Sequence, residues 1–424
     1  MNLHLQKSKV KNKNVAVFIT GSKSETNRLL LLQALYPNIT LENISNSDDS
    51  EVMFAALQNS KRETRNAQLI DVHHAGTAMR FLTAFFAIQE GKEVELTGST
   101  RMKERPIKIL VEALQQLGAE ISYQEKEGFP PLKIIGKKLT KYKVSLPANM
   151  SSQYISALLL IAPKLENGLE LTLEGEITSI PYIKMTLAIL NEIGIKTSFE
   201  KNTITITSSV SSRAQSREEL SLKKITIESD WSSASYWYSI IALSEIGTQI
   251  TLSSYKENSL QGDSALVEIY KNFGVETIFN NNQSITISKI NNLQLATFNS
   301  QLNNCPDIAQ TIAVTCFGLG IGCHLTGLHT LKIKETDRLE ALKNELTKLG
   351  ANISITNDSL TIQQSYNLNS DVVISTYQDH RMAMAFAPLA LKTSIIIEDA
   401  EVVSKSYPTF WDNLQSIGFQ IKNV

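Results

Sequence analysis

Cysteine is scarce: Cys305, Cys316 and Cys323 are the only three in 424 residues. An odd number without a CxxC pair argues against a disulfide framework or a thiolate zinc site and fits a reducing compartment. Charge of one sign is also missing. The 41 Lys and Arg offset 42 Asp and Glu, leaving a formal net charge of −1. No global field therefore suits DNA, RNA or an anionic membrane, and any anion must be gripped by local clusters. The chain lacks an apolar run long enough to span a bilayer, and its polar, basic start, MNLHLQKSKVKNKN, has no signal-peptide core. The histidines are scattered, without the HxxH or HxE spacing of metal ligation. The expectation is a soluble cytoplasmic protein, with no metal, nucleic acid or membrane partner, long enough for two or three domains.

A nucleotide P-loop is absent too, although VAVFITGSKSETNRLLLLQAL invites that reading. The P-loop needs Gly, four residues, then Gly-Lys-Ser/Thr. Here Ser22 precedes Lys23, and Val17 stands five residues earlier. Neither glycine is available to wrap a triphosphate, so the basic helix start needs another explanation.

What is present is a repeat. Five segments, among them LVEALQQLGAEISYQ and LEALKNELTKLGANISITNDSLTI, share an amphipathic helix, an apolar-Gly stop and a strand pair. Gly118, Gly194, Gly274, Gly350 and Gly418 fall 68 to 80 residues apart, each where a helix end favours a left-handed residue. Reading outward gives a β-α-β-α-β-β unit, and a less regular first copy beginning at Val15 makes six. The last copy lacks its final strand, which NLHLQ can supply. The α/β chain divides into residues 1–19 with 228–424 and residues 20–227, with a boundary near SLKKITIESD. Each lobe holds three units, and the cleft is expected to close.

Polar sequence gathers at the twelve expected helix starts. Ordinary capping accounts for Ser151, Ser152, Ser232, Ser233, Asp48 and Asp263, and Asp307 suits a first turn. The cations are harder to explain. Lys23 and Arg28, Arg80, Lys103 and Arg105, Lys334 and Arg338, Arg381, and Lys405 lie in or beside first turns, where the helix dipole opposes positive charge. Several such starts call for a compensating anion, and phosphates and carboxylates are the expected groups.

Acids lie among these cations. Local ion pairing accounts for Asp337, and for Asp379 beside Arg381. Glu335 can pair with Lys334 or Arg338. Asp307 has no basic neighbour in NNCPDIAQT and is the better candidate general base. Lys23, lowered by neighbouring cations, and Glu335, raised by burial, form a candidate second proton-transfer pair.

The strings GSKSETNR, AGTAMR, RMKERPI, SSQ, PYI, SDWSSASY, QGD, PD, KETDRL, DHRMAMAF and SKSYP run in order from residue 21 to 408. As a set they resemble the enolpyruvyltransferase family, on its shikimate branch; KETDRL and DHRMA are the specific members. The resemblance implies two domains, each of three β-α-β-α-β-β units around a pseudo-threefold axis. It implies transfer of the enolpyruvyl group of phosphoenolpyruvate to the 5-hydroxyl of shikimate 3-phosphate, through a tetrahedral intermediate that releases phosphate. A monomer needing no cofactor is expected. By motif match, Lys23, Ser24, Arg28, Ser151, Ser152, Gln153, Ser179, Tyr182, Asp307 and Lys334 would hold shikimate 3-phosphate. Lys23, Gly76, Arg105, Gln153, Arg338, Arg381 and Lys405 would hold phosphoenolpyruvate. Asp307, Glu335 and Lys23 would move protons.

The chain departs from the family pattern in places. Thr20 replaces a usual Pro, His74 and Thr330 replace usual Asn residues, and Phe81 follows Arg80 where a smaller residue or Pro is frequent. In this family glyphosate occupies the phosphoenolpyruvate site and a side chain at Gly76 crowds it, so competitive inhibition is expected. A relative acting on UDP-N-acetylglucosamine would carry a cysteine in the loop at residues 99–105, and none is there. A phosphometabolite-binding protein without activity would be expected to lose Asp307 or Glu335, and both are present.

Overall fold

The computed structural model describes residues 1–11, 14–60, 67–149, 151–209, 223–292 and 295–424. Ser221 and Leu222 of the expected boundary string lie outside the described residues. The chain forms two compact units, Met1–Ser22 with Glu228–Val424, and Lys23–Ile227.

Short strands with alternating burial, such as Leu169–Glu174 and Thr203–Ile206, build small sheets that cover helices on one face only. Within each four-stranded sheet the spatial order is first, second, fourth, third strand of a repeat. The first two strands are parallel because a helix joins them, as in Thr297–Gln301 against Gly322–Thr326. The last two form an antiparallel hairpin, as in Ile353–Ile355 against Ser359–Ile362. Leu3–Gln6 supplies the fourth strand of the last repeat, pairing Leu3 with Ile397 on one side and with Asn423 on the other.

One expectation is corrected. Val15 does not open the first repeat. Asn14–Val17 pairs in parallel with Gln249–Leu252 and supplies the first strand of the fourth repeat, within the Glu228–Val424 unit. Lys223–Thr226 pairs with Ile39–Glu42 and supplies the first strand of the first repeat. Two short strands with the same apolar spacing fit either edge, so local pattern gives no sign of the exchange.

Inside the Lys23–Ile227 unit, helices Lys23–Leu35, Gly76–Ala87 and Ser152–Ile161 pack on one another. They are buried around most of their girth; in Gly76–Ala87 every residue but Thr77 is buried. Trp231–Leu243, Ala309–Leu319 and His380–Phe386 do the same in the other unit. Among the described residues no helix is long and apolar enough to cross a membrane.

The five stop glycines all have positive φ, from 73° at Gly274 to 112° at Gly418. They differ in the room around them. A Cβ at Gly194 would meet nothing, whereas one at Gly274 would strike the backbone oxygen of Asn291. Gly194→Ala should therefore cost only backbone strain, about 1–2 kcal/mol. Gly274→Ala should cost clearly more in urea unfolding, because backbone has to move; equal costs would contradict the geometry.

Candidate active site

In the Lys23–Ile227 unit, Lys23 opens its helix with Nζ 3.2 Å from Asp49 Oδ2, and His74 Nε2 lies 3.5 Å from Asp49 Oδ1. A carboxylate thus stands beside Lys23, where cations were the expected neighbours. His74, in place of the usual Asn, shares that carboxylate. Arg28 is buried in the second turn and committed to the protein. Its Nε donates to Thr186 Oγ1 at 2.8 Å, its Nη2 to Ser156 Oγ at 2.9 Å and its Nη1 to the Ser24 carbonyl at 2.7 Å. Burial lowers it to about 10, with Tyr182 and Glu25 opposing. Its guanidinium lies over Phe81, 5.4 Å from the ring centroid, so the large residue beside Arg80 serves as a platform.

Ser151 caps the helix Ser152–Ile161 through the Gln153 amide, and Gln153 Nε2 reaches Thr77 Oγ1 at 3.2 Å, joining the starts of two central helices. Ser179, at φ 55°, precedes the helix that carries Tyr182. The Arg105 guanidinium lies against Gly76: a Cβ there would be 2.5 Å from Nη1. No hydrogen bond or ion pair of the Arg105 side chain occurs among the described residues. Arg80 instead holds the loop, donating to the carbonyls of Gly76 at 3.1 Å and Pro106 at 3.0 Å.

The Glu228–Val424 unit carries the candidate proton-transfer acids Asp307 and Glu335. Asp307, on the single turn Pro306–Ile308, lies 2.8 Å from Arg338 Nη1, 3.3 Å from Lys334 Nζ and 3.3 Å from Arg381 Nη2. The absence of basic neighbours in its own segment was misleading, because all three come from other elements. Burial pushes Asp307 up, yet Lys334, Arg381 and Arg338 outweigh it and hold the carboxyl well below the usual range. Arg338, 1% exposed, also donates to Asp379 through Nε at 2.6 Å and to Glu335 through Nη2 at 2.8 Å. Burial works against its charge, but Asp379, Glu335 and Asp307 hold it firmly protonated. Asp379 therefore pairs with Arg338, not with the Arg381 side chain; it caps the backbone N–H of Arg381 at 2.9 Å. Asp337 caps the helix Arg338–Lys348 and lies 3.5 Å from Lys332.

Two cations are placed differently from expectation. Lys103 ends the short helix Thr100–Lys103 and pairs with Glu125 at 2.6 Å. Lys405 ends the turn Ala400–Lys405 and donates to the Gln378 carbonyl at 2.7 Å. Both sit where a helix favours positive charge. Lys23, Arg338 and Arg381 remain in genuine first turns. The usual-Asn position Thr330 has a buried hydroxyl without a hydrogen-bond partner among the described residues. Sequence reasoning overlooked Asp49, visible only as the second acid of NSDDSEV, and the Thr186 and Ser156 hydroxyls that hold Arg28, for which no local signal exists. Among the described residues no His, Cys, Asp and Glu group of three could hold a metal ion.

Repeated β-α-β-α-β-β units, with carboxylates and cations interleaved near helix ends, make an α/β protein of the kind that the resemblance to the enolpyruvyltransferase class implies. The EPSP synthase (3-phosphoshikimate 1-carboxyvinyltransferase) family model matches residues 7–414. A 3-phosphoshikimate 1-carboxyvinyltransferase from Bacteroides fragilis is 44% identical over 408 residues, 95% of each chain. One from Shewanella pealeana is 34% identical over 430 residues, 96% of this chain and 98% of that one. The solved EPSP synthase of Acinetobacter baumannii has the same fold, with TM-score 0.78, 21% identity and 99% of both chains covered. The chain belongs to the EPSP synthase family.

The Arg338 cluster makes a stability prediction. Arg338→Met leaves the fully buried Asp379 unpaired and should cost about 3–5 kcal/mol at pH 7. Asp307, whose pKa is depressed, adds stability above its unfolded value near 4, and that stability fades as pH falls further. The gap between wild type and variant should therefore narrow below about pH 4 in denaturant titrations. A constant gap from pH 7 to 3 would contradict the pairing.

Proposed function

We propose that this chain transfers the enolpyruvyl group of phosphoenolpyruvate to the 5-hydroxyl of shikimate 3-phosphate and releases phosphate, as the names of its relatives indicate. The single observation that best supports the residue roles is Asp307 held ionised by Lys334, Arg338 and Arg381.

In this reading Lys23, Ser24, Arg28, Ser151, Ser152, Gln153, Ser179 and Tyr182 serve shikimate 3-phosphate, with Asp307 and Lys334. Arg28 acts mainly by fixing Ser24 and Tyr182, since its own donors are committed. Gly76, Arg105, Gln153, Arg338, Arg381, Lys405 and Lys23 serve phosphoenolpyruvate, Arg105 making no side-chain hydrogen bond or ion pair among the described residues. Asp307 takes the 5-hydroxyl proton as that oxygen attacks C2. Glu335, with Lys23, gives a proton to C3 and later removes one as phosphate leaves the tetrahedral intermediate.

A carboxylate so stabilised is a weak base, and the substrates supply the remedy. Their phosphate and carboxylate groups compete for Lys334 and Arg381. As those cations turn to substrate, Asp307 loses stabilisation and its proton affinity rises. The base is thereby activated only when the polyanions are bound. The cations then stabilise charge through the addition and elimination steps. The reduced, buried cysteines suit a cytoplasmic enzyme, and we propose that it acts there as a monomer.

Phosphate release from phosphoenolpyruvate should require shikimate 3-phosphate. Release with UDP-N-acetylglucosamine as the sole acceptor would reject the function. Asp307→Ala and Glu335→Ala should each lower kcat by about 100-fold or more, and near-normal turnover in either would remove its proton-transfer role. Gly76→Ala should displace the Arg105 guanidinium, raise KM for phosphoenolpyruvate several-fold and weaken glyphosate inhibition in parallel. A change in neither would show that Arg105 does not depend on the bare glycine.

A further inference from the structure

Asp263 occupies the first turn of the short helix Gly262–Ala265 and is 2% exposed. From sequence it reads as a cap, but its side chain bonds elsewhere. Oδ2 accepts the hydroxyl proton of Ser232, and Oδ1 has no hydrogen-bond partner among the described residues. Ser232 has only one proton to give. With that proton committed to Asp263, a lone pair is left for Arg381, whose Nη2 donates to Ser232 Oγ at 3.2 Å. The same Nη2 lies 3.3 Å from Asp307 Oδ2. Arg381 is thus held between a hydroxyl of fixed polarity and the candidate base.

We propose that Asp263 is a positioning residue for Arg381, acting through Ser232 to fix the guanidinium plane that meets the carboxylate of phosphoenolpyruvate. The proposal rests on the reading of Arg381 as a phosphoenolpyruvate ligand.

A purely architectural role fits Asp263 poorly. A buried carboxylate with one bare oxygen carries a desolvation cost that a neutral amide accepting the same Ser232 proton would avoid. Burial and the nearby Asp307 push Asp263 up to about 7, while Arg381 and Ser232 pull it down. The charged groups that face it are Asp307 from Pro306–Ile308, Arg381 from His380–Phe386 and Asp230 capping Trp231–Leu243, with the Cys305 thiol also near. What Asp263 supplies in return is direction. Without it the Ser232 hydroxyl can rotate and turn its proton toward Arg381, and Arg381 loses an acceptor.

Steady-state kinetics on the full chain tests the relay. Ser232→Ala and Asp263→Ala should each raise KM for phosphoenolpyruvate about tenfold. KM for shikimate 3-phosphate should stay within about twofold, and kcat should fall less than KM rises. Because the links act in series, the double variant should be no worse than the worse single one. Asp263→Asn, whose amide oxygen can still accept from Ser232, should recover most of the loss. Multiplying effects, equal rises in both KM values, or an Asn variant as poor as Ala would overturn the relay. Should Asp263→Ala fail to fold, Ser232→Ala and Asp263→Asn carry the same comparison. Arg381→Lys separates the two levels. If it leaves KM for phosphoenolpyruvate unchanged, the ligand reading fails and the relay with it. If it raises that KM while Ser232→Ala does not, the relay alone fails.

Discussion

A guanidinium almost wholly out of water, Arg338, is the constraint on which the proposed acid–base centre depends. It draws Asp307, Glu335 and Asp379 onto one cation from three separate segments. A buried arginine with a single partner would be a net cost; three carboxylates with near-ideal distances offset the desolvation. The arrangement is also directional, since the planar fork fixes where each carboxylate can sit. Asp379, held this way, caps the helix that bears Arg381, so one ion cluster positions both the proposed base and a second cation.

The cluster changes what the cationic helix starts mean. Positive residues at helix starts were expected to need an external anion. Most of them meet the protein's own carboxylates or carbonyls: Lys23 with Asp49, Lys334 and Arg381 with Asp307, Arg28 with hydroxyls and backbone. In the proposed function a polyanionic substrate would therefore exchange partners and would not fill an unmet demand. Exchange yields less net binding energy than meeting unpaired cations would, and in the proposed mechanism it gives the substrate a lever on the proton affinity of Asp307. Arg105 is the exception, resting against a bare glycine with no ion pair among the described residues.

Much of this was legible in the sequence. The stop glycines marked the repeats because only a residue tolerant of positive φ ends a helix that way, and all five have it. The order of the motifs marked the family, since KETDRL and DHRMAMAF place acids and cations at fixed positions. The exchange of Asn14–Val17 and Lys223–Thr226 was not legible, because strand pairing is decided by partners far away in the chain, such as Ile39 for Lys223 and Gln249 for Asn14. Nor were the partners of Asp307: an ion pair formed across three elements leaves no trace in NNCPDIAQT. Lys103 and Lys405 were misread because short helical turns have no periodic signature, so cations at their ends looked like cations at the next helix start. Asp263 looked like a cap for the same reason.

The most direct test is a carbon-13 NMR titration of the Asp307 carboxylate, with and without shikimate 3-phosphate. Alone, Asp307 should remain ionised down to the acid limit of the folded state. With shikimate 3-phosphate bound, its midpoint should move upward as Lys334 turns to the substrate. An ordinary carboxylate midpoint near 4 that does not respond to the ligand would contradict the idea that the protein's cations restrain this base until the substrate draws them away.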